Sequence, residues 1–148
     1  MPYEALLAGR CSRVGVTYLV TTATAGRRRV FDSFSLAAIV ARELIQWERA
    51  RRWHLHAWVV MPDHLHLLLE LRSGTLDSTM RAFKGRCAHR INASRVCSGS
   101  LWQAGYHDRA VRRDEDLVAI ARYVIANPVR AGLVTRIGAY PFWNAAWL

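Results

Sequence analysis

The spacing of hydrophobic and polar positions changes several times along the chain, and each change marks an element. Val14 to Thr22 (VGVTYLVTT) is β-branched and aromatic, which predicts a strand. Gly26 followed by Arg27, Arg28 and Arg29 predicts a basic turn. From Ser35 to about Arg49 the period lengthens: Leu36, Ile39, Val40 and Trp47 share one side of a helix, with Ser35 as its N-cap. Trp53 to Leu71 (WHLHAWVVMPDHLHLLLEL) is too rich in large apolar residues to be surface, and Pro62-Asp63 breaks it into a hairpin of two central strands. Leu76 to about Ala93 is helical again, with Met80, Phe83, Cys87 and Ile91 as the buried stripe and Arg81, Arg86, Arg90 and Arg95 beside it. After a Ser/Gly-rich link at Ser98 to Ser100, Tyr106 to Val111 reads as a fourth strand. A third helix is expected from about Asp114 to Asn127, its first turn carrying Asp114, Glu115 and Asp116 where the helix dipole favours negative charge. Pro128 disfavours the helical region for Asn127 and is expected to stop that helix.

The resulting order, β-α-β-β-α-β plus a C-terminal helix, predicts an α+β, ferredoxin-like antiparallel sheet in a single domain spanning 1–148. Two helices then cover one face of the sheet, leaving the other to a ligand or to the added helix. No internal repeat or linker divides the chain.

Composition narrows the function classes. With 52% hydrophobic residues in 148, a disordered tail is excluded. No apolar run approaches the roughly 18 residues needed to cross a bilayer, and the start MPYEALLAGR lacks a signal-peptide layout, so a non-membrane, cytoplasmic and nucleoid-associated protein is expected. Lys and Arg number 21 against 11 Asp and Glu, a net charge of +10 that calls for a polyanionic partner. Every cation but Lys84 is arginine, the side chain that grips phosphate with two donors, although a GC-rich genome would also enrich arginine. Cys11, Cys87 and Cys97 are odd in number and far apart, fitting reduced bystanders rather than a disulfide framework or zinc knuckle.

The sharpest local pattern is His64-Leu65-His66. On a strand His64, His66, Leu68 and Glu70 share a face while Leu65, Leu67 and Leu69 pack the other way. Two imidazoles about 7 Å apart along one face can converge on one cation, given a further ligand from elsewhere, or can simply be structural. His54-Leu55-His56 repeats the spacing but follows Arg51 and Arg52 at the start of its strand, which fits a structural or peripheral DNA-contact role. On the last helix Leu117, Ala121 and Val124 form the core-facing arc, with Ile120 at its edge, and Asp116, Tyr123 and Asn127 cluster beside it. If this helix covers the open face, the Tyr123 hydroxyl can point at a metal on His64 and His66, with the Asn127 oxygen as third ligand. The plainer alternative is that Tyr123 packs and Asn127 caps the helix.

Three ordered segments, VVMPDHLHLLLE, LWQAGYHDRAVR and ARYVIANPVRAGLV, together resemble the single-tyrosine transposases of the HUH superfamily, and most nearly the REP-associated group, over roughly residues 14–142. The resemblance implies that His64 and His66 bind a divalent cation, that Tyr123 is the nucleophile, and that Asn127 stands where insertion-sequence members carry Gln as the third ligand. It also implies short palindromic hairpins as substrate. His107 and Asp108 match a family segment without a role that carries over.

The implied reaction is metal-dependent cleavage and rejoining of single-stranded or hairpin DNA with palindromic repeats. Tyr123 attacks to form a 5′-phosphotyrosine and release a 3′-OH, while the metal neutralises a non-bridging oxygen. Tyrosine rather than water keeps the bond energy for rejoining. Oxygen ligands suit Mg²⁺ or Mn²⁺, and two imidazoles favour Mn²⁺. Arg81, Lys84, Arg86, Arg90, Arg112, Arg113 and Arg130 are the expected backbone contacts, with His107 a further DNA contact. Trp102, Trp143 and Trp147 are the expected stacking platforms, while Trp47 and Trp58 are expected in the core. The rival reading is a non-catalytic hairpin-DNA-binding protein on the same fold. One tyrosine holds one broken strand, so full transposition calls for a homodimer, whereas nicking one hairpin needs a single protomer. The short exit after Pro128 favours a site assembled in cis. The apolar C-terminal run from Tyr140 to Leu148 either covers the domain's own core or forms a contact between copies.

Overall fold

A computed structural model describes residues 12–95 and 99–146 of the chain. The strands are β1 (Thr17–Ala23), β2 (Trp53–Met61), β3 (His64–Leu71), β4 (His107–Ala110) and β5 (Trp143–Ala145). The helices are α1 (Phe34–Arg49), α2 (Leu76–Ser94), α3 (Leu117–Ile125) and the short α4 (Asn127–Arg130). All five strands form one antiparallel sheet in the order β4-β1-β3-β2-β5. The first four strands are in the ferredoxin-like order, as expected.

Alternation along the strands gives the sheet two buried faces. On one, Tyr18, Val20, Leu55, Trp58, Leu65, Leu67 and Leu69 meet the apolar stripes of α1 and α2. Trp53 and Phe83, both almost fully buried, anchor this layer, their rings 5.1 Å apart with Trp47 beside them. Glu43 is buried here too, accepting hydrogen bonds from Trp47, Arg86 and Arg90. Burial works to raise its pKa, but those donors outweigh it and hold the carboxyl below its ordinary value. On the other face Ala57, Val59, Met61 and Leu68 meet Ala121, Val124 and Ile125 of α3 and Ala145 of β5. The face left open by the ferredoxin-like order is therefore closed by the tyrosine-bearing helix.

Several local expectations are corrected. Gly15 turns the chain at φ 89° and Val14 is exposed, so β1 starts at Thr17. Ser33, not Ser35, caps α1 by accepting from the Leu36 amide, and the Ser35 hydroxyl bonds back to Ser33. The third helix begins three residues later than Asp114, because Asp116 supplies the cap that accepts the Ala119 amide hydrogen. Pro128 does not end the helical path. It lies in the first turn of α4, where a missing N–H leaves no hydrogen bond unmade. Cys87 is buried and its thiol pKa pushed upward by that burial, while Cys11, Cys97 and Ser98 lie outside the described residues. In the C-terminal run Trp143–Ala145 pairs with β2, Phe142 packs against Phe34, and Trp147 and Leu148 lie outside the described residues.

Candidate active site

Register sets the site. His107 of β4 lies opposite Thr21 of β1, Thr21 opposite His66 of β3, and His66 opposite Val59 of β2. Directly opposed residues share a face, so these four form one row on the side that α3 covers. Ala23 pairs with His64 in the next row along that face. On the β1 side the residue beside each imidazole is small, Thr21 for His66 and Ala23 for His64, while Val59 and Met61 flank them on the β2 side.

The His64 and His66 rings stand perpendicular, 4.7 Å between centroids, with their Nε2 atoms 3.1 Å apart. Each Nδ1 is held from behind. Asp63 Oδ1 lies 2.6 Å from His64 Nδ1, and Thr21 Oγ1 lies 2.9 Å from His66 Nδ1. An ionised carboxylate only accepts, so the Nδ1 of His64 carries the hydrogen that it donates to Asp63. In the neutral ring this leaves the Nε2 lone pair facing His66. Neighbouring ligands of an octahedral ion with bonds of about 2.1 Å lie about 3 Å apart, so the pair has the bite of two ligands to one cation. The carboxylate behind His64 is the partner that metal-ligating histidines ordinarily have. Among the described residues no group of three or more His, Cys, Asp and Glu is arranged so that it could hold a metal ion by itself.

Electrostatics agree with a neutral ring at His66. Burial foremost, then the charges of His64, Arg130 and Arg27, brings the His66 pKa down to about 4. Asp63 is held below its ordinary value: its burial pulls upward, but the hydrogen bonds from His64 and Arg27 prevail.

Tyr123 lies on α3 with its side chain largely exposed, at 63%. The Arg130 guanidinium stacks on its ring at 3.7 Å and donates to its backbone carbonyl at 2.8 Å. The charge of Arg130 also contributes to the lowered pKa of His66. The Asn127 amide nitrogen donates to Val124 O at 2.7 Å. The fold thus brings His64 and His66 into contact and sets Tyr123 and Asn127 on the elements covering the same face. Among the described residues neither Tyr123 nor Asn127 hydrogen-bonds to an imidazole.

The other predicted residues fall into distinct settings. Arg86 and Arg90 grip Glu43, and Lys84 donates to the carbonyls of Gln103 and Gly105, so each ties parts of the fold together. Trp102 is only 6% exposed, packs against Phe31 and donates its indole N–H to Lys84 O, which places it in the core rather than on an open platform. Arg81 pairs with Asp77 on the surface of α2, Arg112 lies beside Asp114 and Glu115, and Arg113 and His107 are exposed. Trp58 is core, as expected, and Trp47 is half-buried.

His54 and His56 also stand edge to face, but His54 Nδ1 is 3.2 Å from Glu48 and a bulge interrupts β2 at this point. Asp63, Thr21 and Arg27 escaped sequence reasoning: Asp63 was legible only as a turn residue, and the other two come together with it only through β1 pairing.

Comparison with known proteins adds an independent finding. Residues 12–127 match the family model described as "Transposase IS200 like". The REP-associated tyrosine transposase of Escherichia coli K12 is 30% identical over 101 residues, 67% of this chain and 58% of that protein. A Haemophilus influenzae protein is 24% identical over 94 residues, 56% of this chain and 53% of that one. The alignments thus span little more than half the length of these curated relatives. The solved structure of a REP-associated tyrosine transposase bound to a REP hairpin superposes with a TM-score of 0.76 at 26% identity, covering 90% of this chain and 79% of that one.

Proposed function

The chain belongs to the IS200-like transposases, in their REP-associated single-tyrosine group, and from that membership we propose that it cleaves and rejoins single-stranded or hairpin DNA through a 5′-phosphotyrosine on Tyr123. The observation that carries this reading is the Nε2-to-Nε2 approach of His64 and His66, each ring held from behind, on the face covered by the tyrosine helix.

Phosphoryl transfer asks for an aligned nucleophile and positive charge where negative charge develops. A divalent cation, Mg²⁺ or Mn²⁺, held by His64, His66 and Asn127 would polarise the scissile phosphate as a Lewis acid. The Tyr123 oxygen attacks phosphorus, the P–O3′ bond breaks, and the other strand leaves as a 3′-hydroxyl. Arg130, against the Tyr123 ring, adds fixed positive charge beside the incoming phosphate. A second 3′-hydroxyl reverses the step and regenerates the tyrosine. The packing of α3 on the sheet of its own chain supports a site assembled in cis, with His64, His66 and Tyr123 from one protomer, so that one protomer would suffice to nick one hairpin.

The REP hairpin held by the solved relative supports a palindromic hairpin as the substrate. No helix among the described residues is long and apolar enough to cross a membrane. The test is a denaturing gel on hairpin DNA with Mg²⁺ or Mn²⁺. An adduct that survives denaturation and vanishes with Tyr123→Phe is expected. Tight binding without any adduct would identify a non-catalytic hairpin-binding protein.

A further inference from the structure

The turn after β1 is built unusually tightly onto the turn that leads into His64. Both the amide of Thr24, at 2.9 Å, and its hydroxyl, at 3.1 Å, reach the carbonyl of Asp63, and the Phe31 amide donates to Pro62 O at 2.9 Å. The same hydroxyl donates to Arg28 O at 2.7 Å, closing the turn on itself. Inside it Gly26 has φ 65° and Arg27 has φ 53°. The second is a left-handed conformation that disfavours any side chain with a Cβ, and glycine would adopt it freely. Such strain persists only where surrounding bonds enforce it, and it concentrates at functional sites.

The conformation aims the Arg27 side chain at Asp63. Its Nε donates to Asp63 Oδ2 at 2.9 Å, while the other oxygen of the same carboxylate holds His64 Nδ1 at 2.6 Å. Arg27 is about half exposed and Asp63 much less so, which leaves the carboxylate fixed between two donors. A short carboxylate has two torsions. With Oδ2 anchored, Oδ1 can meet only the Nδ1 of His64, and the ring is fixed with its Nε2 toward His66.

We infer that Arg27 is a positioning residue for the metal centre, acting through Asp63 to hold His64 in the Nδ1–H tautomer with its Nε2 aimed at the cation site. This rests on the reading of His64 and His66 as metal ligands given above. It accounts for an arginine at a position whose backbone suits glycine, and for the hydrogen bonds that lock the two turns together.

The experiment compares wild-type protein with Arg27→Gly, Asp63→Ala and His64→Ala. Long-range ¹H–¹⁵N spectra of histidine-labelled, metal-free protein report the His64 tautomer, electron paramagnetic resonance titration reports Mn²⁺ affinity, and thermal melting reports the fold. The expected result is a wild-type His64 in the Nδ1–H form that becomes a mixture in Arg27→Gly and Asp63→Ala. Mn²⁺ affinity should fall about 10- to 100-fold in Asp63→Ala and about tenfold in Arg27→Gly. The melting temperature of Arg27→Gly should not drop, since glycine relieves the left-handed strain. Wild-type tautomer and wild-type Mn²⁺ affinity in Arg27→Gly would overturn the inference. So would an affinity loss that tracks a lowered melting temperature with the tautomer unchanged. If instead Mn²⁺ binding is the same in wild type and His64→Ala, the ligand assignment itself fails, and the tautomer spectra still decide whether Arg27 positions His64.

Discussion

At His64 and His66 the contacts predict different consequences from those at the arginines. On the proposed mechanism His64→Ala or His66→Ala would remove a metal ligand and should slow adduct formation by about a hundredfold or more, while hairpin affinity stays within about threefold. Asn127→Ala should be milder, since water can take its place. Gel-shift titration beside the denaturing gel separates the two effects, and parallel loss of binding and cleavage would refute the division of labour. His66 also makes the metal-free fold sensitive to acid. Its folded pKa, about 4, lies below the ordinary 6.5, so between those values the unfolded chain binds a proton that the folded chain refuses. Its contribution to stability is therefore complete above about pH 6.5 and is lost progressively as pH falls to about 4. Melting curves from pH 7 to 4 should show a steeper decline for wild type than for His66→Gln. Glu43 and Asp63, with lowered pKa values, add their losses at lower pH in both proteins.

The elements divide into those that hold the fold and those that carry Tyr123, the proposed nucleophile. Phe83 sits fully buried between Trp47 and Trp53 where α2 meets the sheet, and Phe83→Ala should cost about 3–5 kcal/mol, read by denaturant melts. The tyrosine helix α3 is only nine residues long, too short to be stable alone. It depends on the apolar contacts of Ala121, Val124 and Ile125 and on the Asp116 cap. Just before it, Glu115 accepts two hydrogen bonds from Arg109 of β4 and one from the Arg112 amide, pinning the helix approach to the sheet edge. Asp116→Ala should cost about 1 kcal/mol of global stability yet lower adduct yield more than a surface change of equal cost elsewhere, because it loosens the element carrying Tyr123. Equal adduct yields at matched stability would count against that link.

For the whole molecule the net charge of +10 is expected to govern the proposed association with DNA. Neutralising six to ten phosphates would weaken binding by roughly 10³- to 10⁵-fold between about 50 and 200 mM salt. The cations do not contribute equally. Arg86 and Arg90 are committed to buried Glu43, so replacing either should lower the melting temperature as well as affinity. Exposed Arg113→Ala should reduce the salt slope by about 1 with no change in melting. Since α3 packs on its own sheet, mixing Tyr123→Phe with His64→Ala protein should restore no adduct. Recovery of adduct would mean that copies exchange their tyrosine helices.

The period of the apolar residues was enough to give the strand and helix order, and with it the ferredoxin-like sheet. Strand alternation likewise put His64, His66, Leu68 and Glu70 on one face. These are local properties, set by which side of a strand or helix each side chain occupies. Helix ends were less legible, because a cap is decided by whichever of several nearby polar side chains reaches the free amides. Ser33 prevailed over Ser35, Asp116 over Asp114, and Pro128 fitted into a new helical turn. The support of the histidine pair was not legible at all. Thr21 stands 45 positions from His66, and Arg27 stands 36 from Asp63; no periodicity connects them, because only the antiparallel pairing of β1 with β3 brings the two turns together. Tertiary structure also decided that Trp102, Lys84, Arg86 and Arg90 are engaged within the fold, since composition counts charges and rings but does not record which of them the protein's own carboxylates, carbonyls and core already occupy.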